Sequence, residues 1–135
     1  RLSSPRRSSS AETVTVGRIA AATELPVTAD LEAGYGDPGE TARKAIDVGI
    51  VGANLEDQVK PLADAVAAVE AVVKAGEAAG IPFVLNARTD VVAKAGDRDH
   101  DEVIADAIER GKAFLDVGAP VVFVPGPLSE DDVEK

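Results

Sequence analysis

The sequence predicts an α/β fold, a partial (β/α)8 barrel of about four parallel strands with intervening helices. Three observations carry that prediction. From residue 13 onward, apolar strand-like runs alternate strictly with amphipathic helical runs, the pattern of a parallel sheet with helical crossovers. In each of the first three strands the polar residues fall on one alternation set near the C-terminal end, as they do at the mouth of a barrel. The glycine-rich phosphate loop of an open dinucleotide-binding sheet has only a weak counterpart, because Gly34-Tyr35-Gly36 lacks the third glycine.

The elements follow in order. A helical run over about 13–24 precedes a first strand at 26–33, within PVTADLEAGYGDP. Alternation puts Thr28, Asp30 and Glu32 on one face and Val27, Ala29 and Leu31 on the other. Asp37, Pro38 and Glu40 supply an N-cap, a first-turn proline and an N3 acid for a helix reaching about Val48, where Gly49 stops it. A second strand covers about 51–56, with Asn54 and Glu56 polar and Leu55 opposite. The Ala/Val-rich stretch from about Leu62 to Ala79 predicts a long helix, punctuated by Gly80 and Pro82. The third strand, 83–90, carries Asn86, Arg88 and Asp90 on its polar set and Phe83, Leu85 and Ala87 on the other. After the polar loop AGDRDHDE a helix is expected over about 101–117, then a fourth strand at 121–126. Ser129 and Asp132 mark the N-terminus of a last helix, which the chain barely enters.

Composition narrows the function classes. The 135 residues suit one modest domain. With 45% hydrophobic residues but one Tyr, three Phe and no Trp, the core must be built from Ala, Val, Ile and Leu. A net charge of −10 argues against nucleic acid and anionic membrane surfaces, which need basic patches. No apolar run approaches the roughly 18 residues of a membrane span. The lack of Cys excludes disulfides, thiolate metal sites and a Cys nucleophile in this stretch, and a cytoplasmic setting is expected. Residues 1–12, RLSSPRRSSSAE, are basic, serine-rich and without apolar periodicity, and are expected to be a disordered or artefactual segment ahead of a partial barrel at 13–135. The chain contains no Met and starts at Arg1, so it is expected to be a piece of a larger domain.

The candidate chemistry lies at the strand ends. Asp30, Glu32 and Glu56 form an all-oxygen set on adjacent strands, and hard carboxylates without Cys or a nearby His favour Mg²⁺ or Mn²⁺ over Zn²⁺. The same acids could instead pair with Arg88 or Lys60 as a structural ion network. Arg88, level with them on the next strand, could clamp a carboxylate or phosphonate through its planar fork, or simply bridge to Glu56. His100, the only histidine, sits among charged neighbours in GDRDHDE and reads as a solvated loop residue. Asp37 reads as a cap, and alternation turns Asp57 away from the mouth.

In this order and spacing, PVTADLEAGYGDP, VGANLEDQ, FVLNARTD and VVFVPG resemble the isocitrate lyase/phosphoenolpyruvate mutase superfamily, and within it the carboxyvinyl-carboxyphosphonate phosphorylmutase-like branch. The likeness covers about residues 17–135. It implies a Mg²⁺-dependent barrel enzyme, homo-oligomeric when intact, that makes or breaks C–C or P–C bonds in small 2-oxo acids or phosphono-carboxylates through an enolate. By the same resemblance, Asp30 matches the direct metal ligand of D-x-[DE]-x-G-Y-G. Glu32 and Glu56 match acids that hold the metal through waters. Arg88 matches the arginine on the substrate's anionic end, and Asn86 stands beside it as a substrate-binding candidate.

There are departures from the family pattern. Glu32 stands where many members have Asp. The lyase branch carries a K-[KR]-C-G-H loop whose Cys moves a proton; here that region reads VKPLADAV, which argues against isocitrate lyase and methylisocitrate lyase activity. Two other readings remain open: a catalytically inactive truncated fragment of such an enzyme, and another metal-dependent enolate barrel such as a class II aldolase.

Overall fold

The computed structural model describes residues 9–135, with side chains from residue 13 onward. The expectation for the N-terminal segment therefore lies outside the described residues over 1–8. The elements run α1 (Ser9–Ala21), β1 (Val27–Asp30), α2 (Pro38–Asp47), β2 (Ile50–Glu56), α3 (Leu62–Ala79), β3 (Val84–Arg88), α4 (His100–Asp116), β4 (Val121–Phe123) and α5 (Glu130–Val133). The four strands form one parallel sheet in the order β1-β2-β3-β4. An open doubly wound sheet reverses direction at a switch point, whereas here every crossover steps the same way. Spatial order that repeats chain order is that of a barrel wall, and it puts α2, α3 and α4 on one face of the sheet.

That face is closed by small residues. Ala42 and Ala45 of α2, Ala65, Val69 and Val72 of α3, and Phe114 of α4 pack on Ala29, Ala53, Leu55, Leu85 and Ala87 of the strands. Phe114, Leu85, Ala87 and Val72 are wholly inaccessible to solvent. Alanines at both surfaces let helix and strand backbones approach closely, which explains how a core with so few aromatics is filled. A second cluster, Val91, Val92, Val103, Ile104 and Ala107, pins the loop after β3 onto α4. The opposite face is open: Val84 is 51%, Val121 44% and Phe123 41% exposed. Among the described residues no helix is long and apolar enough to cross a membrane.

Strand ends are where the structure departs from the sequence reading. The first strand does not run to residue 33. It stops at Asp30, because Glu32 turns left-handed at φ 49°. The third strand stops at Arg88 and the fourth at Phe123, each short of the expected end. In the second strand the pairing skips from Val27↔Ile50 to Thr28↔Gly52, so Val51 is an extra residue in the ladder. This bulge lets Ile50 enter the core while Asn54 and Glu56 keep to the open face. α1 begins and ends earlier than expected, whereas α3 has the expected bounds.

The caps agree with the sequence. Asp37 accepts from the Glu40 N–H at 2.9 Å ahead of Pro38, and Ser129 and Asp132 close a reciprocal capping box. Asp37→Ala is expected to cost about 1 kcal/mol, read as a lower urea midpoint with an unchanged slope.

Candidate active site at the strand ends

Two rows of side chains cross the open face near the C-terminal ends of the strands. In the lower row Asp30, Asn54 and Asn86 are in register on β1, β2 and β3; in the upper row Glu56 is in register with Arg88. Four of the five predicted site residues on these strands, Asp30, Glu56, Asn86 and Arg88, therefore share one face. Glu32 does not belong to it by alternation, since the strand has already ended. It stays level with the upper row through its carbonyl, which accepts from the Glu56 N–H at 2.7 Å.

The backbone that carries these residues is strained. Glu32, Gly34, Tyr35 and Gly36 lie at φ 49°, 82°, 49° and 95° in the loop after β1. Gln58 and Val59 follow at 52° and 56° after β2. A left-handed Val is a genuine outlier, because its branched Cβ crowds the following carbonyl. Such conformations persist only where surrounding contacts impose them, and they gather at binding sites. Here side chains impose two of them: Asp30 Oδ1 accepts from the Glu32 N–H at 2.9 Å, and Asp57 Oδ1 accepts from the Val59 N–H at 2.9 Å.

Arg88 is the hub of the upper row. Its Nε donates to Asp90 Oδ1 at 2.7 Å, and its Nη1 lies 3.1 Å from Glu56 Oε1. The bridge to Glu56 weighed in the sequence reading is thus present, and Asp90 adds a second anchor. Asp90 is fully buried and is bonded on its other oxygen by Lys94 Nζ at 2.6 Å. In the lower row Asn86 Nδ2 donates to Asn54 Oδ1 at 2.8 Å, while Asn86 Oδ1 is buried without a donor among the described residues. An unsatisfied buried acceptor costs about 1–3 kcal/mol, a penalty that a donor arriving with a ligand would relieve.

Behind the mouth runs a buried ion network that the sequence reading did not assemble. Asp57 turns away from the mouth, as alternation indicates, and accepts from the Asp90 N–H at 3.0 Å and from Arg110 Nη1 at 3.0 Å. Arg110 also donates to the Lys60 carbonyl at 2.9 Å and to Asp106 Oδ1 at 2.7 Å. Burial alone pushes the Asp57 carboxyl up. The N–H groups of Asp90 and Val59, the Thr89 hydroxyl and Arg110 outweigh it and hold the group below the usual aspartate range. For Arg110 burial opposes the charge, but Asp106 and Asp57 prevail and raise its affinity for the proton. The signal available in the sequence was the pair of acids directly after the strand ends, Asp57 and Asp90. Nothing local marked Arg110, which is fifty-odd residues away along the chain from Asp57.

His100 is the first residue of α4 rather than a loop residue. It is exposed, with its Nε2 3.0 Å from Asp132 Oδ1 on α5.

Among the described residues no three His, Cys, Asp or Glu side chains converge as direct ligands for a metal ion. Asp30, Glu32 and Glu56 are therefore not a three-carboxylate cage. The donor set still fits Mg²⁺, which keeps most of its water shell and needs one or two direct carboxylates. Asp30 stands at the mouth without a basic partner among the described residues, and an uncompensated acid favours a cation.

Comparison with known proteins shows the family and the fold. The family model described as phosphoenolpyruvate phosphomutase matches residues 7–135. The 2-methylisocitrate lyase of Shewanella oneidensis is 32% identical over 124 residues, covering 82% of this chain and 40% of that protein. The 2,3-dimethylmalate lyase of Eubacterium barkeri is 30% identical over 131 residues, covering 87% and 43%. The chain thus spans about two fifths of the length of the curated relatives it matches. Among solved structures, a candidate phosphonomutase of Burkholderia cenocepacia superposes with a TM-score of 0.87 at 35% identity, covering 94% of this chain and 57% of that one. Oxaloacetate acetylhydrolase, in complex with its product oxalate, superposes with a TM-score of 0.80 at 27% identity, covering 95% and 46%.

Proposed function

The chain belongs to the phosphoenolpyruvate phosphomutase family, and from that premise we propose that the intact protein is a Mg²⁺-dependent lyase or mutase. Its substrate class is a small 2-oxo acid or phosphono-carboxylate, in which a C–C or P–C bond is made or broken. The observation that carries the reading is the side-by-side placement of two opposite tendencies on the strand ends. Asp30 is an acid without a basic partner among the described residues in the lower row, and Arg88 is a cation anchored at Nε and Nη1 in the upper row. One suits a metal, the other the anionic end of an acid. The substrates in the relatives' names, methylisocitrate, dimethylmalate and oxaloacetate, are all small carboxylic acids, which supports the class.

In this reading Asp30 is the direct metal ligand, and Glu32 and Glu56 act through waters. Mg²⁺, when bound, supplies a Lewis acid for the charge that develops on the substrate oxygen. Arg88 binds and orients the substrate's carboxylate or phosphonate through the Nη2 side of its fork. Asn86 accepts a hydrogen bond at its buried Oδ1 from a hydroxyl or water brought in with the substrate. The sequence VKPLADAV, without Cys or His, favours a mutase or a lyase that does not draw a proton from that loop. A class II aldolase would need a His or further acids at other strand ends, and none of β1–β4 ends in a His.

The test separates metal from substrate. In the intact protein Asp30→Ala should abolish Mg²⁺ binding measured by calorimetry and with it turnover, whereas His100→Ala should leave both unchanged. Arg88→Lys keeps the charge but loses the fork, so substrate binding should weaken while Mg²⁺ affinity without substrate barely moves. Undiminished Mg²⁺ binding by the Asp30 variant would sink the assignment. A second reading concerns the 135-residue chain alone, whose inner face stays open at Val84, Val121 and Phe123. Half a mouth gives half a site, and the chain by itself is expected to turn over none of these acids.

A further inference from the structure

Arg88 is a long side chain at a solvent-facing mouth, and left to itself it would sample many rotamers, at about 2 kcal/mol of conformational entropy. The structure removes that freedom from behind. Asp90 is completely buried. One of its oxygens meets Arg88 Nε at 2.7 Å and the other meets Lys94 Nζ at 2.6 Å. The place of Asp90 is itself fixed, since its N–H donates to Asp57 Oδ1, and Asp57 is held by Arg110 of α4. The Thr89 N–H donates to the Phe123 carbonyl, tying the same turn to β4. Asp57, Arg110 and β4 therefore fix the turn that carries this carboxylate, whose partner in the mouth is Arg88.

We infer that Asp90 is a positioning residue that aims the Arg88 guanidinium at the anionic end of the substrate, anchored through Asp57 and Arg110. It rests on the reading that Arg88 is the anion clamp. The two cations on Asp90 are mouth-facing or solvent-facing: Arg88 is 28% and Lys94 51% exposed in the side chain. With Nε held by Asp90 and Nη1 beside Glu56, the guanidinium plane is set and its Nη2 is left for a ligand. A fork pre-set in this way loses less entropy on binding than a free arginine does.

The experiment follows the Arg88 Nε–H by NMR in the 135-residue chain, identified by its disappearance in Arg88→Lys, together with oxalate as a probe anion in the presence of Mg²⁺. In the wild type the Nε proton should exchange at least tenfold more slowly than that of free arginine. Asp90→Ala should abolish that protection. Asp90→Asn should restore most of it, because the amide oxygen accepts from Nε once half-exposed Lys94 turns to water. Oxalate affinity should fall about tenfold in Asp90→Ala and in Arg88→Lys, and the double variant should lose no more than Arg88→Lys alone. Additive losses, or a wild-type Nε proton exchanging as fast as free arginine, would overturn the inference. Should Asp90→Ala not fold, the wild-type exchange rate and Asp90→Asn decide. If oxalate binding ignores Arg88→Lys, the anion-clamp reading fails, while the exchange data still judge whether Asp90 holds Arg88.

Discussion

Asp57→Ala is expected to destabilise the chain by about 3–5 kcal/mol, the cost of leaving a buried ion without its partner. The Asp57 side chain is 1% and that of Arg110 8% exposed, so water cannot substitute for the lost contact. Arg110 would keep Asp106 and the Lys60 carbonyl but lose the buried carboxylate on its Nη1. Two backbone donors would be orphaned as well, those of Val59 and Asp90. The first belongs to a residue already held left-handed, so the loop after β2 should relax with the loss. Urea denaturation reads the effect directly. The pH dependence gives a second, signed readout. Because the folded state holds the Asp57 proton affinity below its unfolded value of about 3.9, this group's stabilisation is complete above that range. It is lost as pH falls through the depressed folded value. The wild-type denaturation midpoint should decline on acidification below about pH 4, and the Asp57→Ala midpoint should decline less. Equal acid dependence in the two proteins would contradict this role for Asp57.

Gly34→Ala is expected to dismantle the loop after β1. The residue sits at φ 82°, and an added Cβ would stand 2.6 Å from the Cα of Pro38, backbone that opens α2 and cannot swing aside. The Gly34 carbonyl also accepts from the buried Thr41 hydroxyl at 2.9 Å, so the loop cannot shift without losing that bond. Left-handed strain of about 1–2 kcal/mol adds to roughly 1–3 kcal/mol for overpacking. Gly36→Ala provides the contrast. It is left-handed too, at φ 95°, but nothing lies within reach of its Cβ, so only the backbone term should apply. Thermal unfolding should lower the Gly34 variant much more than the Gly36 variant. A similar small loss in both would mean that the contact with Pro38 yields easily.

Much of this was legible in the sequence, for reasons tied to particular residues. Helix α3 has the bounds read from its Ala/Val run, because Gly80 takes the left-handed C-cap that no other residue type favours as strongly. Asp37 caps α2 because Pro38 and Glu40 complete a local signal that needs no tertiary partner. The mouth-facing placement of Asp30, Glu56, Asn86 and Arg88 followed from period-two alternation within short strands. Glu32 escaped that logic, since a strand's end is decided by the Asp30 carboxylate capturing the next N–H but one, a choice made by geometry rather than pattern. The Asp57–Arg110 pair was invisible for a different reason: its members meet only after β2, β3 and α4 are stacked.

The match between chain order and spatial order has a bearing on how the molecule comes into being. Each strand pairs with the next one synthesised, and α2 packs on α3 and α3 on α4. Among the four described strands no pairing waits for a distant segment, so loop-closure entropy is met in small instalments as this stretch lengthens. A nascent chain leaving the ribosome could dock β2 on β1 while α3 is still emerging, then add β3 and β4 in turn. The ion network closes when Arg110 arrives to meet Asp57, so the ground behind the strand-end mouth is set only once α4 has been made, just ahead of β4.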